Sequence, residues 1–416
     1  MNGTLKEASG RISQFAMAVG LVTLVGVLAI PVISAVAGTA ATGTLFTVQA
    51  TAQLGAILVA FGWGAAGAAT VAGMPEADRA EYFRQSLRAR LVLYAVTAPV
   101  LAVLLWALTR GDLAVSIVGA FAYLLPAVGG NWYFAGRSEP LRLFRFDTIP
   151  AICGTLLGIA GVWWTHELWV FCLGQGLGYL AAAVITAVVV LRGAPRSERI
   201  PSLRDTLSAQ RAAVLATATT GLYVNLPVIA VGAFFPRETV AVFGMANTLF
   251  RYCTLAFQPF QQFFQGWVPA DRDQLAHRAR VSALAALGIG AFAGVCIAVL
   301  SPPVSSLLLV GKAHVPYEIS IPFGVAFVGV AVSAVVGYAS LVALGRVTVL
   351  AVSTLIGAAV GAPLVILFAA LGHAPAVAWA VAVSELCVAG YQVYSLRRRL
   401  TPVRDEEVKG PRKDEE

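Results

Sequence analysis

One arginine interrupts a long apolar segment in the second half of the chain. The segment 241–270, AVFGMANTLFRYCTLAFQPFQQFFQGWVPA, contains a single formal charge, Arg251. The nearest other charges are Glu238 and Asp271, so a membrane-spanning helix would hold this guanidinium near the bilayer midplane. A guanidinium presents a planar fork of donors that matches phosphate, and this position therefore predicts the binding of an anion.

Neutral polar residues accompany this arginine at helical spacing. Steps of four, three, four and four residues separate Asn247, Arg251, Thr254, Gln258 and Gln262. At 3.6 residues per turn these positions share one face of a helix. An arginine at the bilayer centre costs about 3 kcal/mol against lipid. We therefore predict that this face lines the protein interior or a water-filled cavity.

Two interpretations of Arg251 are open from the sequence. Glu385 is the carboxylate that lies deepest in another apolar segment, and an ion pair with it would lock two helices together. Otherwise the anion is supplied by a ligand. Further polar residues in the second and seventh apolar segments predict a cavity that these helices share with Arg251: Gln49, Gln53, Tyr223 and Asn225.

Twelve apolar segments must position these side chains. Of the 416 residues, 58% are hydrophobic and 12% are charged, with a mean hydropathy of +0.80, whereas a soluble chain carries about 25% charged residues. Spans near the length that a bilayer requires are predicted at 14–37, 44–73, 90–109, 113–136, 148–165, 168–191, 212–235, 239–268, 281–300, 319–343, 348–370 and 374–396. The predicted fold class is an all-α polytopic membrane protein.

The basic residues indicate how the spans are oriented. With the N-terminus inside, the inner segments hold 25 lysines and arginines, and the outer loops hold only Arg110, Arg237 and Lys312. The positive-inside rule therefore predicts that both termini are cytoplasmic. The positive net charge reflects this topology and does not indicate nucleic-acid binding.

The segment 192–211 divides the chain into two six-helix halves. We predict an N-lobe at 1–191, a cytoplasmic linker at 192–211, a C-lobe at 212–396 and a disordered charged tail at 397–416. The scattered histidines, the cysteines without CxxC spacing and the absence of a phosphate-binding glycine motif exclude obvious catalytic or metal chemistry. We expect no metal, no cofactor and no enzyme activity.

Two segments resemble a known transporter family. NWYFAGRSEPLRLFRFDTIP at 131–150 resembles the region after span four in bacterial polysaccharide flippases. AVFGMANTLFRYCTLAFQPFQQFFQGWVP at 241–269 resembles their span eight, and the six-plus-six layout fits as well. On these motifs the chain resembles Wzx-type oligosaccharide-lipid flippases, a branch of the multidrug/oligosaccharidyl-lipid/polysaccharide (MOP) exporter superfamily.

The resemblance implies two lobes around a central cavity lined mainly by spans one, two, seven and eight. It implies alternating access that carries an undecaprenyl-linked glycan across the bacterial cytoplasmic membrane, with membrane lipids, glycosyltransferases and a polysaccharide polymerase as further partners of a monomer. Arg251 matches a cavity cation for the lipid-linked phosphate. Three more arginines at the cytoplasmic rim would capture the substrate: Arg11, Arg90 and Arg145.

Two alternatives compete with a flippase. A MATE-like cation-coupled exporter of small molecules would be expected to bind its coupling ion at a carboxylate in a lobe cavity, and spans one, two, seven and eight contain no deep carboxylate. An enzyme acting on lipid-linked sugars would be expected to carry large outer loops, and the predicted outer loops are short. Both observations favour the flippase.

Overall fold

The secondary structure is helical throughout the part of the chain that can be described. A computed structural model describes residues 20–193, 202–271 and 273–400. In these ranges the regular elements are helices, and no β-strand forms. The predicted all-α fold class is therefore confirmed. Arg11, the central part of the predicted linker and residues 401–416 of the predicted tail lie outside the described residues.

The first half of the chain forms the helices of the predicted spans one to six. They are α1 (Gly20–Val36), α2 (Thr39–Ala60), α3 (Trp63–Gly73), α4 (Glu76–Leu108), α5 (Leu113–Val128), α6 (Asn131–Gly136), α7 (Pro140–Leu143), α8 (Ile149–Thr165) and α9 (Leu168–Leu191). A π-helical turn, Phe144–Thr148, joins α7 to α8.

The second half forms the predicted spans seven to twelve. Its helices are α10 (Leu203–Ser208), α11 (Arg211–Phe234), α12 (Arg237–Trp267), α13 (Leu275–Leu308), α14 (Tyr317–Val335), α15 (Val347–Ala370) and α16 (Ala374–Leu400). A π-helical segment, Val336–Leu341, extends α14. The short helix α10 lies before the seventh span and belongs to the predicted linker.

Eleven helical segments in the described ranges are long and apolar enough to cross a bilayer. The shorter apolar helix α1 coincides with the described part of the predicted first span. Most predicted spans therefore coincide with helices along the described chain, whereas the second and fourth are each divided into two helices. They differ most at α4, which begins at Glu76 and not at 90. The prediction marks only the apolar part of a helix, whereas the polar first turns of α4 are helical as well. Glu76 and Asp78 favour that start by complementing the helix dipole.

The second span is broken, although the sequence predicts it as continuous. Phe61 and Gly62 adopt left-handed backbone conformations with φ of 40° and 87°, which end α2 and start α3. Such a conformation favours glycine because a side chain would clash with the backbone. The break turns the chain beside α11, where a Cβ built on Gly62 would meet Ala213 and Gln210 at 3.0 Å.

Glycines allow the fifth and sixth spans to pack closely. Gly154 and Gly158 on α8 face Gly174 and Gly178 on α9, and a Cβ built on Gly154 would lie 2.5 Å from the Cα of Gly178. Both pairs have the GxxxG spacing that permits close approach of helix backbones in membranes. Because any side chain would separate the backbones, these glycines set the distance between α8 and α9.

Residue contacts divide the chain into two compact units. The first contains Met1–Leu249, Val299–Ser320 and Ala362–Ala380, and the second contains Phe250–Ala298, Ile321–Gly361 and Val381–Glu416. Their boundaries fall inside α12, α13, α15 and α16 and near the start of α14. The two lobes drawn from the sequence stay a prediction.

Candidate ligand-binding site

The predicted polar helix forms as one element, α12, and carries Arg251 near its middle. The Arg251 side chain is half-buried, as are Asn247 and Thr254, while Gln258 and Gln262 are exposed. Thr254 donates to the carbonyl oxygen of Phe250 on its own helix at 3.0 Å. The structure therefore confirms the helix that carries these residues, and their role in binding stays a prediction.

Aromatic residues beside the polar stripe of α12 pack on α14 within the second unit. Phe250 lies 5.5 Å from Phe323 between ring centroids, and Phe257 lies 6.0 Å from Phe327. Phe257 is 4% exposed, in contrast to its neighbour Gln258. These aromatic contacts join α12 to α14, while Gln258 and Gln262 on α12 are exposed.

Glu385 lies on α16, also in the second unit, and is half-buried. A Cβ built on Gly329 of α14 would lie 2.8–3.1 Å from the backbone and Cβ of Glu385. The close approach of α14 positions this part of α16. The ion pair between Glu385 and Arg251 stays a prediction.

Gln49 takes part in a chain of hydrogen bonds between helices of the first unit. Its Nε2 donates to the hydroxyl of Tyr123 at 3.5 Å, and that hydroxyl donates to Oε1 of Gln175 at 2.5 Å. Nε2 of Gln175 donates in turn to Oγ1 of Thr155 at 3.2 Å. This chain joins α2, α5, α9 and α8, so Gln49 has a structural role in addition to any contact with a ligand.

The remaining predicted cavity residues lie on α2 and α11. Gln53 is exposed, Tyr223 is half-buried, and Asn225 is 4% exposed. The amide of Asn225 donates to the carbonyl oxygen of Gly221 on its own helix at 2.8 Å. Burial and this local bond leave Asn225 little surface for a ligand. Gln53 and Tyr223 have more exposed surface that a ligand could contact.

Arg90 requires a correction. It is not at an accessible rim, because its side chain is 1% exposed. Its guanidinium donates to the carbonyl oxygens of Ala127 and Gly129 at 3.1 and 2.5 Å and lies 5.3 Å from the ring of Trp132. These contacts make Arg90 a packing residue between α4 and the end of α5. Sequence periodicity cannot predict these contacts, because the acceptors on Ala127 and Gly129 are backbone carbonyl oxygens and not side chains.

Arg145, another of the three arginines predicted at the cytoplasmic rim, has the expected accessibility. Arg145 is exposed on the π-helical turn, with its guanidinium 5.6 Å from the ring of Phe146. Its neighbours Arg137 and Arg142 are engaged by carboxylates, since both contact Glu139 at 3.0 and 3.2 Å. The role of Arg145 in substrate capture stays a prediction.

A cavity of about 410 Å³ lies beside the break in the second span. Its polar lining comes from Asn131, Trp132 and Thr217. The rest is formed by small and apolar residues of α2, α3, α5 and the break, including Ile57, Gly62 and Pro126. Gln49, Gln53, Tyr223, Asn225 and the polar residues of α12 do not line this space, whereas Thr217, a further polar residue of the predicted seventh span, does. The glycine at the break is the sequence signal that marks it.

Comparison with solved structures shows which known proteins share this fold. Lipid II flippase MurJ in an inward closed conformation has a TM-score of 0.70 at 11% identity, over 92% of this chain and 87% of that chain. An inward-facing multidrug resistance MATE family transporter of the MOP superfamily has a TM-score of 0.67 at 13% identity, over 94% and 98%. A MATE in complex with MaL6 has a TM-score of 0.57 at 14% identity, over 94% and 96%.

The protein is thus a multi-pass helical membrane protein, and its fold is similar to that of these three structures. This similarity of fold agrees with the resemblance noted from the sequence. No family model and no curated protein matches the chain. The fold is common to flippases and exporters, so it does not distinguish between them.

Proposed function

We propose that this protein moves an undecaprenyl-(pyro)phosphate-linked oligosaccharide from the cytoplasmic to the outer leaflet of a bacterial cytoplasmic membrane by alternating access. The transported lipid would supply cell-surface polysaccharide synthesis, with glycosyltransferases acting before the transfer and a polymerase after it. The protein would act as a monomer and would form no covalent intermediate.

The observation that carries this proposal is the position of Arg251. It lies near the middle of a membrane-spanning helix, and its side chain is half-buried. A guanidinium there can bind a phosphate group as it passes, and it would disfavour a cationic cargo. Half-burial leaves surface for a ligand, unlike the complete burial of Arg90.

The neighbours of Arg251 suit a glycan headgroup. Gln258 and Gln262 follow it on α12 and are exposed. Amide side chains both donate and accept hydrogen bonds, as sugar hydroxyls require, and they carry no charge that would repel the phosphate. The lipid tail would stay in the bilayer, next to the many large apolar side chains that the protein exposes.

The experiment is a flipping assay in proteoliposomes that contain a fluorescent undecaprenyl-pyrophosphate-linked oligosaccharide. Access of a membrane-impermeant quencher to the headgroup reports its movement between leaflets. We expect rapid exchange with the wild-type protein and none in protein-free liposomes. The absence of exchange, together with proton-driven efflux of a cationic dye by the same preparation, would overturn the flippase and support an exporter.

One observation favours the exporter as a second candidate. Asp147 lies in the π-helical turn before α8, half-buried, and its carboxylate forms no hydrogen bond or ion pair with any residue in the described ranges. Its Oδ1 would lie 3.7 Å from a Cβ built on Gly129. A carboxylate in such surroundings can take up a proton. If the protein is an exporter, Asp147→Asn should abolish pH-driven efflux. If it is a flippase, the same substitution should leave flipping unchanged.

A further inference from the structure

Three basic residues link the two halves of the chain inside the first unit. They are Arg110, Arg237 and Lys312, the same three that the positive-inside pattern assigns to the outer loops. Each of them donates to a backbone carbonyl at the C-terminal end of a helix from the other half. Helix C-termini leave carbonyl oxygens without intrahelical donors and carry a partial negative charge, so cations bind there favourably.

Two of these contacts are reciprocal. Arg110 follows the end of α4, and its Nη2 donates to the carbonyl oxygen of Phe235 at 2.8 Å, at the end of α11. Arg237 begins α12, and its Nη2 donates to the carbonyl oxygen of Thr109, at the end of α4. Each arginine thus caps the helix that precedes the other arginine. Breaking the interface would expose both carbonyls and both guanidinium groups together.

The third contact lies at the end of α1. Nζ of Lys312 donates to the carbonyl oxygens of Ser34 and Ala35 at 3.0 and 2.9 Å. The hydroxyl of Ser34 donates to the carbonyl oxygen of Leu309 at 3.5 Å. The last turn of α1 is therefore held to the segment after α13, which belongs to the other half of the chain.

The helices next to these contacts pack without room for a ligand. A Cβ built on Gly43 of α2 would clash with the backbone of Arg237, and one built on Gly232 would meet Oγ1 of Thr47 at 2.7 Å. The space enclosed by Thr44, Thr47, Arg110 and Arg237 is about 10 Å³, which is at the limit for a single water molecule. In this structure the outer ends of the helices are closed here.

We infer that Arg110, Arg237 and Lys312 form an outer latch, which stabilises the closed outer end and must release for the transporter to open outward. The inference rests on the proposed alternating access. Because the latch uses charged donors and backbone acceptors, it holds the closed state independently of the side chains on the carbonyl side. Removing the cations should shift the population toward states with an open outer end.

The test measures the accessibility of Thr44→Cys, since Thr44 is 4% exposed beneath the reciprocal pair. The protein is placed in lipid nanodiscs, where a water-soluble maleimide reaches both sides, and labelling is quantified by site-resolved mass spectrometry. We expect slow labelling with the latch intact and labelling at least about tenfold faster with Arg110→Ala and Arg237→Ala together. Arg142→Ala is the matched control, because it removes an exposed arginine elsewhere and should leave the rate unchanged.

Buried Cys172 is 0% exposed and reports unfolding in the same experiment. If the double variant labels Cys172, the milder Lys312→Ala variant is used with Ser34→Cys as the probe, since Lys312 is exposed and its loss leaves no buried gap. Unchanged labelling of the probe cysteines in folded variants would overturn the latch. No substrate enters this measurement, so failure of the latch and failure of the proposed flipping are distinguishable.

Discussion

The guanidinium of Arg90 donates to the carbonyl oxygen of Gly129 at 2.5 Å and so caps the end of α5. This is the same kind of contact that Arg110, Arg237 and Lys312 make at the outer ends, with one difference. Arg90 is completely buried between Phe83 and Trp132, whereas the outer cations remain partly accessible. The chain thus uses cations at helix C-termini for permanent packing in one place and for the proposed releasable closure in another.

Substitution of Arg251 tests the proposed site. Arg251→Ala should lower the flipping rate in proteoliposomes by roughly a hundredfold, since a charged contact of about 3 kcal/mol to the phosphate is lost. Arg251→Lys should retain part of the rate because charge remains but the planar fork does not. Arg192→Ala, which removes an exposed arginine, is the control with a wild-type rate.

The rival ion pair makes a different prediction for Arg251. If Glu385 neutralises it structurally, Glu385→Gln and Arg251→Ala should both lower the apparent Tm in detergent, because each leaves a half-buried charge without its partner. The ligand-binding role predicts little change in Tm with Arg251→Ala and a loss of flipping alone. Normal flipping by Arg251→Ala would contradict our assignment.

A membrane potential should drive the proposed transport. Outward movement of one negative charge from a negative interior gains about 2.3 kcal/mol per 100 mV, a bias of roughly fiftyfold. A potassium gradient with valinomycin, imposed on the flipping assay, should change the steady-state distribution with the sign of the potential. Flipping that ignored the potential and required a pH gradient would contradict a charge-driven mechanism.

Arg90 should contribute to stability and not to substrate capture. Arg90→Ala removes the donors for the buried carbonyl oxygen of Gly129 and the partly buried one of Ala127, and it leaves a gap beside Trp132. This should cost about 2 kcal/mol or more. The apparent Tm in detergent should fall clearly. Arg88→Ala, two residues away and exposed, should leave it nearly unchanged. Equal Tm values for the two variants would show that the buried contacts add nothing.

The close packing of α8 and α9 is sensitive to side-chain volume. Gly158→Leu should destabilise the protein strongly, because a Cβ on Gly158 would already lie 2.6 Å from the carbonyl oxygen of Phe171. The matched control is Gly288→Ala on α13, where a Cβ meets nothing within 4 Å and helix propensity favours alanine by about 1 kcal/mol. Thermal unfolding followed by size-exclusion chromatography measures both. A fall in Tm with the control would point to helix context and not to packing.

Much of the fold followed from local sequence properties. Spans such as 168–191 and 348–370 match single helices in the structure, because hydropathy and helix length are set by the residues of each segment alone. The break at Phe61 and Gly62 was missed, since a left-handed turn inside an apolar run leaves the hydropathy unchanged. The early start of α4 was missed for a similar reason, because hydropathy reports the bilayer and not the end of a helix.

The candidate site divides in the same way. The spacing of Arg251, Thr254 and Gln258 determined that they share a face of α12, because helical periodicity needs no partner. Tertiary structure alone decided that Gln49 bonds to Tyr123 and that Arg90 is buried, since both depend on which neighbouring helix presents a hydroxyl or a free carbonyl oxygen. Composition and periodicity act along one helix, whereas partners are chosen by the packing of several, and the outer contacts of Arg110, Arg237 and Lys312 could be found only there.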